Sequence, residues 1–405
     1  MRIVIVGAGV AGCLMARQLS KLPDIEVICL ERVAPDDHSE SGTGLNVGPN
    51  AVKALRTIDP DLAQKITQAS FPWTTWRISL TDGRVLFDLP LTDVADAPGW
   101  RIRWSELYRV LRDVAAGSIS YGCTITHLGR DPAAPHKTTI AWMQNGSSHR
   151  LDGIDLMIAG DGRYSMVRQA MSGDPAVRHV GVSIFRLLVP DTSAGLIDDY
   201  EQWFNGPNRL LSFRVPPGHI YIAGTFPIAP NAQVPDQLKA ADALRAAYTP
   251  AQKPPSDQAK WMIDQICNNV GDTHWARMQE HDALYCAHDC DVLYLGDAAH
   301  GMVPTLGQGA TQALEDAACA ATIITQNYLT GRRDVRQWLD GINTARGARM
   351  RFVMEFSLEA TDTMLEGSDP VAGTLHKTET SFIDRLKILY RDVGLPANSN
   401  PSHTA

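Results

Sequence analysis

The sequence predicts an α/β protein: a Rossmann-type domain assembled from noncontiguous segments, with a β-sheet domain inserted into it and a helical region at its C-terminal end. Three observations predict this class. Residues 2–6 form a short, apolar, β-branched run followed at once by Gly7-Ala8-Gly9-Val10-Ala11-Gly12 and then by apolar residues at helical spacing. Two more glycine-bearing segments, Asp161-Gly162 and Gly296-Asp297 with Gly307-Gln308-Gly309, each follow an apolar strand, at 156–159 and 292–295. Between them the pattern changes to short alternating runs, the mark of half-buried strands.

The elements follow in order. Residues 26–30 supply a second strand, so the chain opens with a βαβ unit whose sheet is covered on both faces. Residues 76–91 read as strands around the Asp82-Gly83 turn, and 105–116 as a helix with Ser105 at its N-cap. Strands are expected near 118–126 and 138–143, then at 182–189, 209–215 and 219–225, with a helix-rich stretch from 232 to 270. A helix from 309 to 322 begins the helical remainder. Phe382, Ile383, Leu386, Leu389 and Tyr390 recur at helical spacing, which suits a cover for the core or a dimer contact. The tail after Pro396 has a disordered composition. Residues 1–75, 100–175 and 275–330 are assigned to the cofactor domain, 76–99 and 176–274 to the β-rich substrate domain, and 331–405 to the helical region.

Composition narrows the partners. A formal net charge of −8 argues against nucleic acid or an anionic membrane, both of which favour basic surfaces. No apolar run approaches the ~18 residues that span a bilayer. The first strand starts at Arg2 and leaves no room for a leader, so a cytoplasmic protein is expected, as monomer or homodimer. Seven scattered cysteines read as reduced thiols. Cys286 and Cys290, near His281, His288 and Asp289, match no structural zinc spacing, and no metal is expected.

The first glycine segment has a defined chemistry. In Gly7-x-Gly9-x-x-Gly12 the first glycine permits the tight turn, the second admits a pyrophosphate to the backbone, and the third lets helix and strand pack closely. Gly7, Gly9, Ala11 and Gly12 are therefore candidate dinucleotide contacts. Glu31 closes the second strand, 19 residues after Gly12, where a carboxylate holds ribose hydroxyls. Arg32 beside it is either an adenosine-phosphate contact or a solvated arginine.

With all three segments in order, the chain resembles the single-component FAD-dependent aromatic monooxygenases of the para-hydroxybenzoate hydroxylase type over about residues 1–350. Ala159-Gly160-Asp161-Gly162-Arg163-Tyr164-Ser165-Met166-Val167-Arg168 is similar to the family's middle motif, which implies that Asp161 and Gly162 lie between the flavin and a visiting nicotinamide. Gly296-Asp297-Ala298-Ala299-His300, with Pro304-Thr305-Leu306-Gly307-Gln308-Gly309 and Glu315-Asp316-Ala317, is similar to the third motif. Asp297 then accepts ribityl hydroxyls, or else serves as a helix cap. Gly307, Gln308 and Gly309 open a helix whose N–H groups face the N1–C2=O side of the ring. Pro304 is expected beside the oxygenation site, shaping the pocket through its carbonyl, and His300 against the flavin edge. The family's flavin-contacting arginine falls on Trp104, so Arg103 is the expected substitute, and Thr311 stands where asparagine is common. The resemblance implies FAD, NADH or NADPH as transient donor, O2, and a C4a-hydroperoxyflavin that oxygenates the ring.

The substrate is sought in the hairpin 209–221, which turns at Pro216-Pro217-Gly218. Alternation places Arg209, Leu211, Phe213 and Tyr221 on one face, where guanidinium and phenol suit a small aromatic or heteroaromatic acid. Within the family this hairpin is similar to that of the 2-methyl-3-hydroxypyridine-5-carboxylate oxygenases, whose substrate-binding arginine and tyrosine fall on Arg209 and Tyr221. Phe185-Arg186-Leu187-Leu188-Val189-Pro190 and Trp100-Arg101-Ile102 share that likeness. The bland alternative is a surface Arg209 and a core Tyr221. Arg214 and His219 are further candidates, His219 as a catalytic base or a solvated turn residue. A reductase or halogenase of the same fold, or a flavin-binding redox sensor, stands as the rival reading.

Overall fold

A computed structural model describes residues 1–37 and 43–396; the tail expected to be disordered, after Pro396, lies outside them. Strand Arg2–Val6 lies between Leu156–Ala159 and Glu26–Leu30, with Val292–Tyr294 and Ile119–Ser120 at the two edges, all parallel. The three strands that precede the three glycine segments are therefore consecutive neighbours, and all three segments leave from the same carboxyl edge. In open α/β sheets that edge is where ligands bind.

The apolar runs are continuous because both faces are covered. Ile3, Ile5, Leu156 and Ile158 pack with Leu14 of helix Val10–Leu19 and with Leu314 and Ala317 of helix Gln308–Leu329. Val4, Met157 and Val292 face the other way, against Ile140, Trp142 and Ile154 of a three-stranded antiparallel sheet. A Cβ on Gly12 would collide with the Gly7 carbonyl oxygen, and one on Gly7 would stand 2.6 Å from the Gly160 oxygen. Gly7 also has φ +92°, a left-handed conformation that favours glycine.

A seven-stranded sheet runs in the order His274–Glu280, Arg178–Pro190, His219–Pro227, Asn208–Val215, Tyr200–Asn205, Thr75–Leu80, Val85–Pro90. It extends past the boundary expected near 275, because His274–Glu280 pairs antiparallel with Arg178–Pro190. One face carries Phe185, Leu210 and Ile222 against helices Ala241–Tyr248 and Asp257–Asn268. The other carries Trp76, Tyr200, Leu211, Phe213 and Tyr221, packed with Met302, Val303 and Leu306 of the third segment and Phe356 and Phe382 near the C-terminal end.

Two local expectations change. The helix expected to start at Ser105 starts at Trp104 with Arg103 at its N-cap and no side-chain cap, since Thr43 accepts from the Trp104 N–H. The stretch 374–392 is split into the end of helix Pro370–His376 and helix Thr380–Arg391, yet Phe382, Leu386, Leu389 and Tyr390 are buried and cover the core. All seven cysteines are free thiols, and among the described residues no helix is long and apolar enough to cross a membrane.

Gly12→Ala should lower the urea midpoint of the apoprotein by the equivalent of about 1–3 kcal/mol, with the m-value unchanged, because the added methyl has only backbone to displace.

Candidate active site

Gly9 caps helix Val10–Leu19 with no side-chain hydrogen bond, so the N–H groups of the first turn are left for a ligand at the sheet's carboxyl edge. Glu31 is clamped beside this turn: its Oε2 accepts from the Ala8 N–H at 2.6 Å and its Oε1 from the Val33 N–H at 3.1 Å. Arg32 is exposed. The buried cation here is Arg112, whose Nε donates to the Ala8 carbonyl at 3.3 Å and whose guanidinium lies 5.1 Å from the Tyr108 ring and 4.0 Å from Glu31. Sequence reasoning passed over it. Its signal is a lone arginine on the buried face that Leu107, Leu111 and Ala115 mark out on helix Trp104–Ala115.

In the middle segment Ser165 Oγ accepts from the Arg168 N–H at 3.0 Å, and Asp161 Oδ2 accepts from the Val167 N–H at 3.2 Å. Burial raises the Asp161 pKa against its hydrogen bonds, and its Oδ1 is buried without a partner. Gly162 follows at φ +79°. Arg168, the last residue of the motif, reaches across to the third segment: Nη1 donates to the Ala298 and Ala299 carbonyls at 3.0 and 2.8 Å, and Nη2 to the Asp282 carbonyl at 3.2 Å.

The third segment makes a single 3-10 turn, Gly296–Ala298. Asp297 is half-buried and takes no hydrogen bond through its side chain among the described residues. Gly307 sits at φ +65° as the N-cap of helix Gln308–Leu329, again with no side-chain cap, and a Cβ there would stand 2.6 Å from Asn46 Nδ2. The Gln308 side chain turns inward: Oε1 accepts from Asn50 Nδ2 and Gln312 Nε2 at 3.0 Å each, and Nε2 donates to the Leu306 carbonyl at 3.2 Å. Only its main-chain N–H is left for a ligand. Thr311 accepts from the Gly48 N–H and donates to the Gly307 carbonyl, both at 2.9 Å. The Pro304 carbonyl accepts from the Gly307 N–H at 3.1 Å, leaving one lone pair for the pocket.

His300, expected at the flavin edge, is instead fully buried beneath this loop, with Nε2 2.6 Å from Asp316 Oδ2. Asp316 also accepts from the Gly296 N–H, the Tyr285 hydroxyl and Arg346 Nε. Burial works to raise its pKa, and His300, Arg346 and the hydrogen bonds outweigh it, holding the carboxyl well below the usual range.

In the hairpin Arg209 is paired with Thr225 and Phe213 with Tyr221, so Arg209, Leu211, Phe213 and Tyr221 do share a face. Arg209 is 3% exposed, and its guanidinium makes no hydrogen bond or ion pair with any described residue. Burial pulls its pKa down, offset by Tyr200, Tyr221 and Tyr248 around it. Tyr221, its ring 5.0 Å from that of Phe213, has its hydroxyl pKa pushed up by burial against the nearby Arg186 and Arg209 charges, and it abuts strand Gly44–Val47, where a Cβ on Gly44 would lie 2.7 Å away. The same strand carries Asn46 to Gly307. The structure thus brings Tyr221 and the Gly307 turn to one strand. His219 stands at the hairpin turn with Nδ1 2.5 Å from the Pro217 carbonyl. Arg214 is paired with Asp191, and Arg101 with Asp199 and the Pro72 carbonyl. Arg103 is half-buried at the end of strand Gly99–Arg103, opposite Gly44, with its Nε unpartnered.

No family model matches the chain. It is 27% identical over 329 residues to 2-heptyl-3-hydroxy-4(1H)-quinolone synthase of Pseudomonas aeruginosa, which covers 78% of this chain and 79% of that one. It is 26% identical over 339 residues to 6-hydroxynicotinate 3-monooxygenase of Pseudomonas fluorescens, covering 80% and 83%. The relatives it matches are aromatic monooxygenases that depend on FAD. This monooxygenase shares its fold with Klebsiella pneumoniae HpxO, solved with FAD and uric acid: TM-score 0.79 at 20% identity, over 98% of this chain and 97% of that one. Its donor set fits FAD. Two uncapped helix N-termini and an unengaged carboxylate, Asp297, lie along one sheet edge as a diphosphate, a ribityl chain and an electron-rich ring edge require.

The Asp316 carboxyl titrates near ~3.9 in the unfolded chain and lower in the folded one. Its contribution to stability is therefore complete above about pH 4 and is lost as pH falls through the folded value. Urea unfolding of the apoprotein should show the gap between wild type and Asp316→Asn widest at neutral pH and narrowing below about pH 4.

Proposed function

We propose that this monooxygenase takes electrons from NADH or NADPH and uses O2 to hydroxylate a small hydroxylated aromatic or pyridine carboxylic acid bound between Arg209 and Tyr221. The observation that carries this reading is Arg209, a buried guanidinium with no anionic partner among the described residues. An unpaired buried charge is costly, so such a group is matched to an anion, and its planar fork suits a carboxylate. Two relatives are named for hydroxylated aromatic acids, 6-hydroxynicotinate and 3-amino-4-hydroxybenzoate, the class that Arg209 fits.

Gly7, Gly9, Ala11 and Gly12 hold the pyrophosphate through helix N–H groups, with Glu31 and Arg112 on the adenosine side. Asp297 takes ribityl hydroxyls. The Gly307-Gln308-Gly309 N–H groups would hold the N1–C2=O edge of the ring, and Asp161, Gly162 and Arg103 would border it. Bound FAD supplies the electron transfer and oxygen activation that side chains lack. The chain's own residues orient the substrate and keep water out. Arg209 anchors the carboxylate. The Arg186 and Arg209 charges favour the Tyr221 phenolate, which suits Tyr221 to relay a proton from a substrate hydroxyl. Leu211, Phe213 and Leu306 form the apolar wall, with the Pro304 carbonyl at its rim. A hydroxypyridine carboxylate, opened or decarboxylated after oxygenation, is the sharper form of the same reading.

Hydroxybenzoates and hydroxynicotinates should accelerate NAD(P)H oxidation by the holoenzyme, with one added oxygen atom in the product mass, or a ring-opened mass for the pyridine case. Stimulation by neutral phenols but not by acids would sink the carboxylate assignment. Arg209→Met should raise KM for the acid by roughly 30- to 5000-fold, the cost of about 2–5 kcal/mol for removing one partner of a buried charge pair. Tyr221→Phe should lower kcat by about 100-fold with a smaller change in KM.

A further inference from the structure

Beneath the Gly307 turn lies a second set of buried charges that none of these roles uses. Glu315 and Asp316, adjacent on helix Gln308–Leu329, and Arg346, on helix Val335–Glu359, are fully buried, and Arg349 nearly so. Glu315 is the hub. Its Oε1 accepts from Gln312 Nε2 at 2.9 Å, from Arg349 Nη2 at 3.2 Å and from Asn50 Nδ2; its Oε2 accepts from Arg346 Nη1 at 3.0 Å and Arg349 Nε at 3.2 Å. With about four lone-pair positions available, the carboxylate is saturated.

The array runs from the C-terminal helices to the flavin turn. Arg349 Nη1 and Nη2 donate to the Ile388 and Leu389 carbonyls of helix Thr380–Arg391 at 3.1 and 2.6 Å. Arg346 bonds to Gln312 Oε1 at 2.5 Å and to Asp316 at 2.8 Å. On the other side, Asn50 and Gln312, both held by Glu315, are the two donors that hold Gln308 Oε1. Every polar contact of the Gln308 side chain except that to the Leu306 carbonyl therefore comes from a residue that Glu315 fixes.

We propose that Glu315 is a positioning residue for the flavin: through Asn50, Gln312 and Gln308 it sets the placement of the Gly307-Gln308-Gly309 N–H groups against the ring. The inference rests on the reading that this turn faces the N1–C2=O edge. A neutral amide at 315 removes the counter-charge of two buried arginines and presents a donor where five donors converge, so the array must rearrange. The turn is the half-exposed end of the chain of bonds and yields first. Displaced N–H groups stabilise the reduced, anionic ring less.

The test compares Glu315→Gln with Asn50→Leu, which leaves both arginine–carboxylate pairs intact. FAD affinity is read by flavin fluorescence on titration of apoprotein, the two-electron midpoint potential by spectral redox titration of holoprotein, and apoprotein Tm alongside. Both variants are expected to weaken FAD binding about tenfold or more and to move the potential to more negative values, with Asn50→Leu keeping an apoprotein Tm close to wild type. Variants that lower Tm while leaving affinity and potential unchanged would reduce Glu315 to a purely structural residue and overturn the proposal. Gly309→Pro separates the premise from the inference, because it deletes a main-chain N–H in the first helical turn, where proline is tolerated. If that variant leaves the potential unmoved, the turn does not face the ring and the proposal falls with its premise. If it shifts the potential while the Glu315 and Asn50 variants do not, only the inference is overturned.

Discussion

Backbone packed on backbone, where Gly7, Gly12 and Gly160 meet, is the constraint from which the rest of the molecule follows. It sets how close the first helix lies to its strand and how close the second segment lies to the first. Once strands Arg2–Val6 and Leu156–Ala159 are neighbours, Val292–Tyr294 adds to the far side of the latter, and three loops distant in sequence emerge side by side. Arg168 then ties the second loop to the third with hydrogen bonds to carbonyls, a type of link that depends on main-chain position rather than on the side chains of the third segment.

Charge is buried in two different ways in this molecule. Beneath the Gly307 turn, arginines and carboxylates are matched and their hydrogen bonds saturated. Burial disfavours the Arg346 charge, and Tyr285, Asp316 and Glu315 more than restore it. Such an array adds little net stability over an apolar core, but it costs dearly to half-dismantle, so it resists rearrangement. On the sheet face Arg209 has Tyr200, Tyr221 and Tyr248 around it and no carboxylate partner among the described residues, and burial raises Tyr200 to about 12. A matched array suits a fixed scaffold, whereas an unmatched cation suits a group that arrives and leaves.

Much of this was legible in the sequence, and the reasons are local. Strands 2–6, 156–159 and 292–295 announce themselves because covered parallel strands are apolar throughout. The face shared by Arg209, Phe213 and Tyr221 follows from the two-residue period and the turn between them. What was missed depends on long-range geometry. Arg112 reaches Ala8, and Glu315 collects Asn50 and Arg346, across spans that no periodicity encodes. His300 sits in a motif that suggests a ligand, yet its burial is decided by Asp316 on a later helix. The sheet boundary near 275 slipped for the same reason, since an edge strand is defined by the partner it finds.

The order of strands in the parallel sheet also bears on how the protein is made. Its centre is built from the first strand and the fourth segment of the chain to join it, and the third glycine loop is complete only after strand Val292–Tyr294, with its counter-charges on a helix that ends at Glu359. At about 5–20 residues per second, roughly 20 to 70 seconds of synthesis pass before those parts coexist. Through that interval the N-terminal strands have an unpaired edge, and only the contacts of the first two glycine segments have been made. A site complete in all three segments is thereby a late event in the life of each chain.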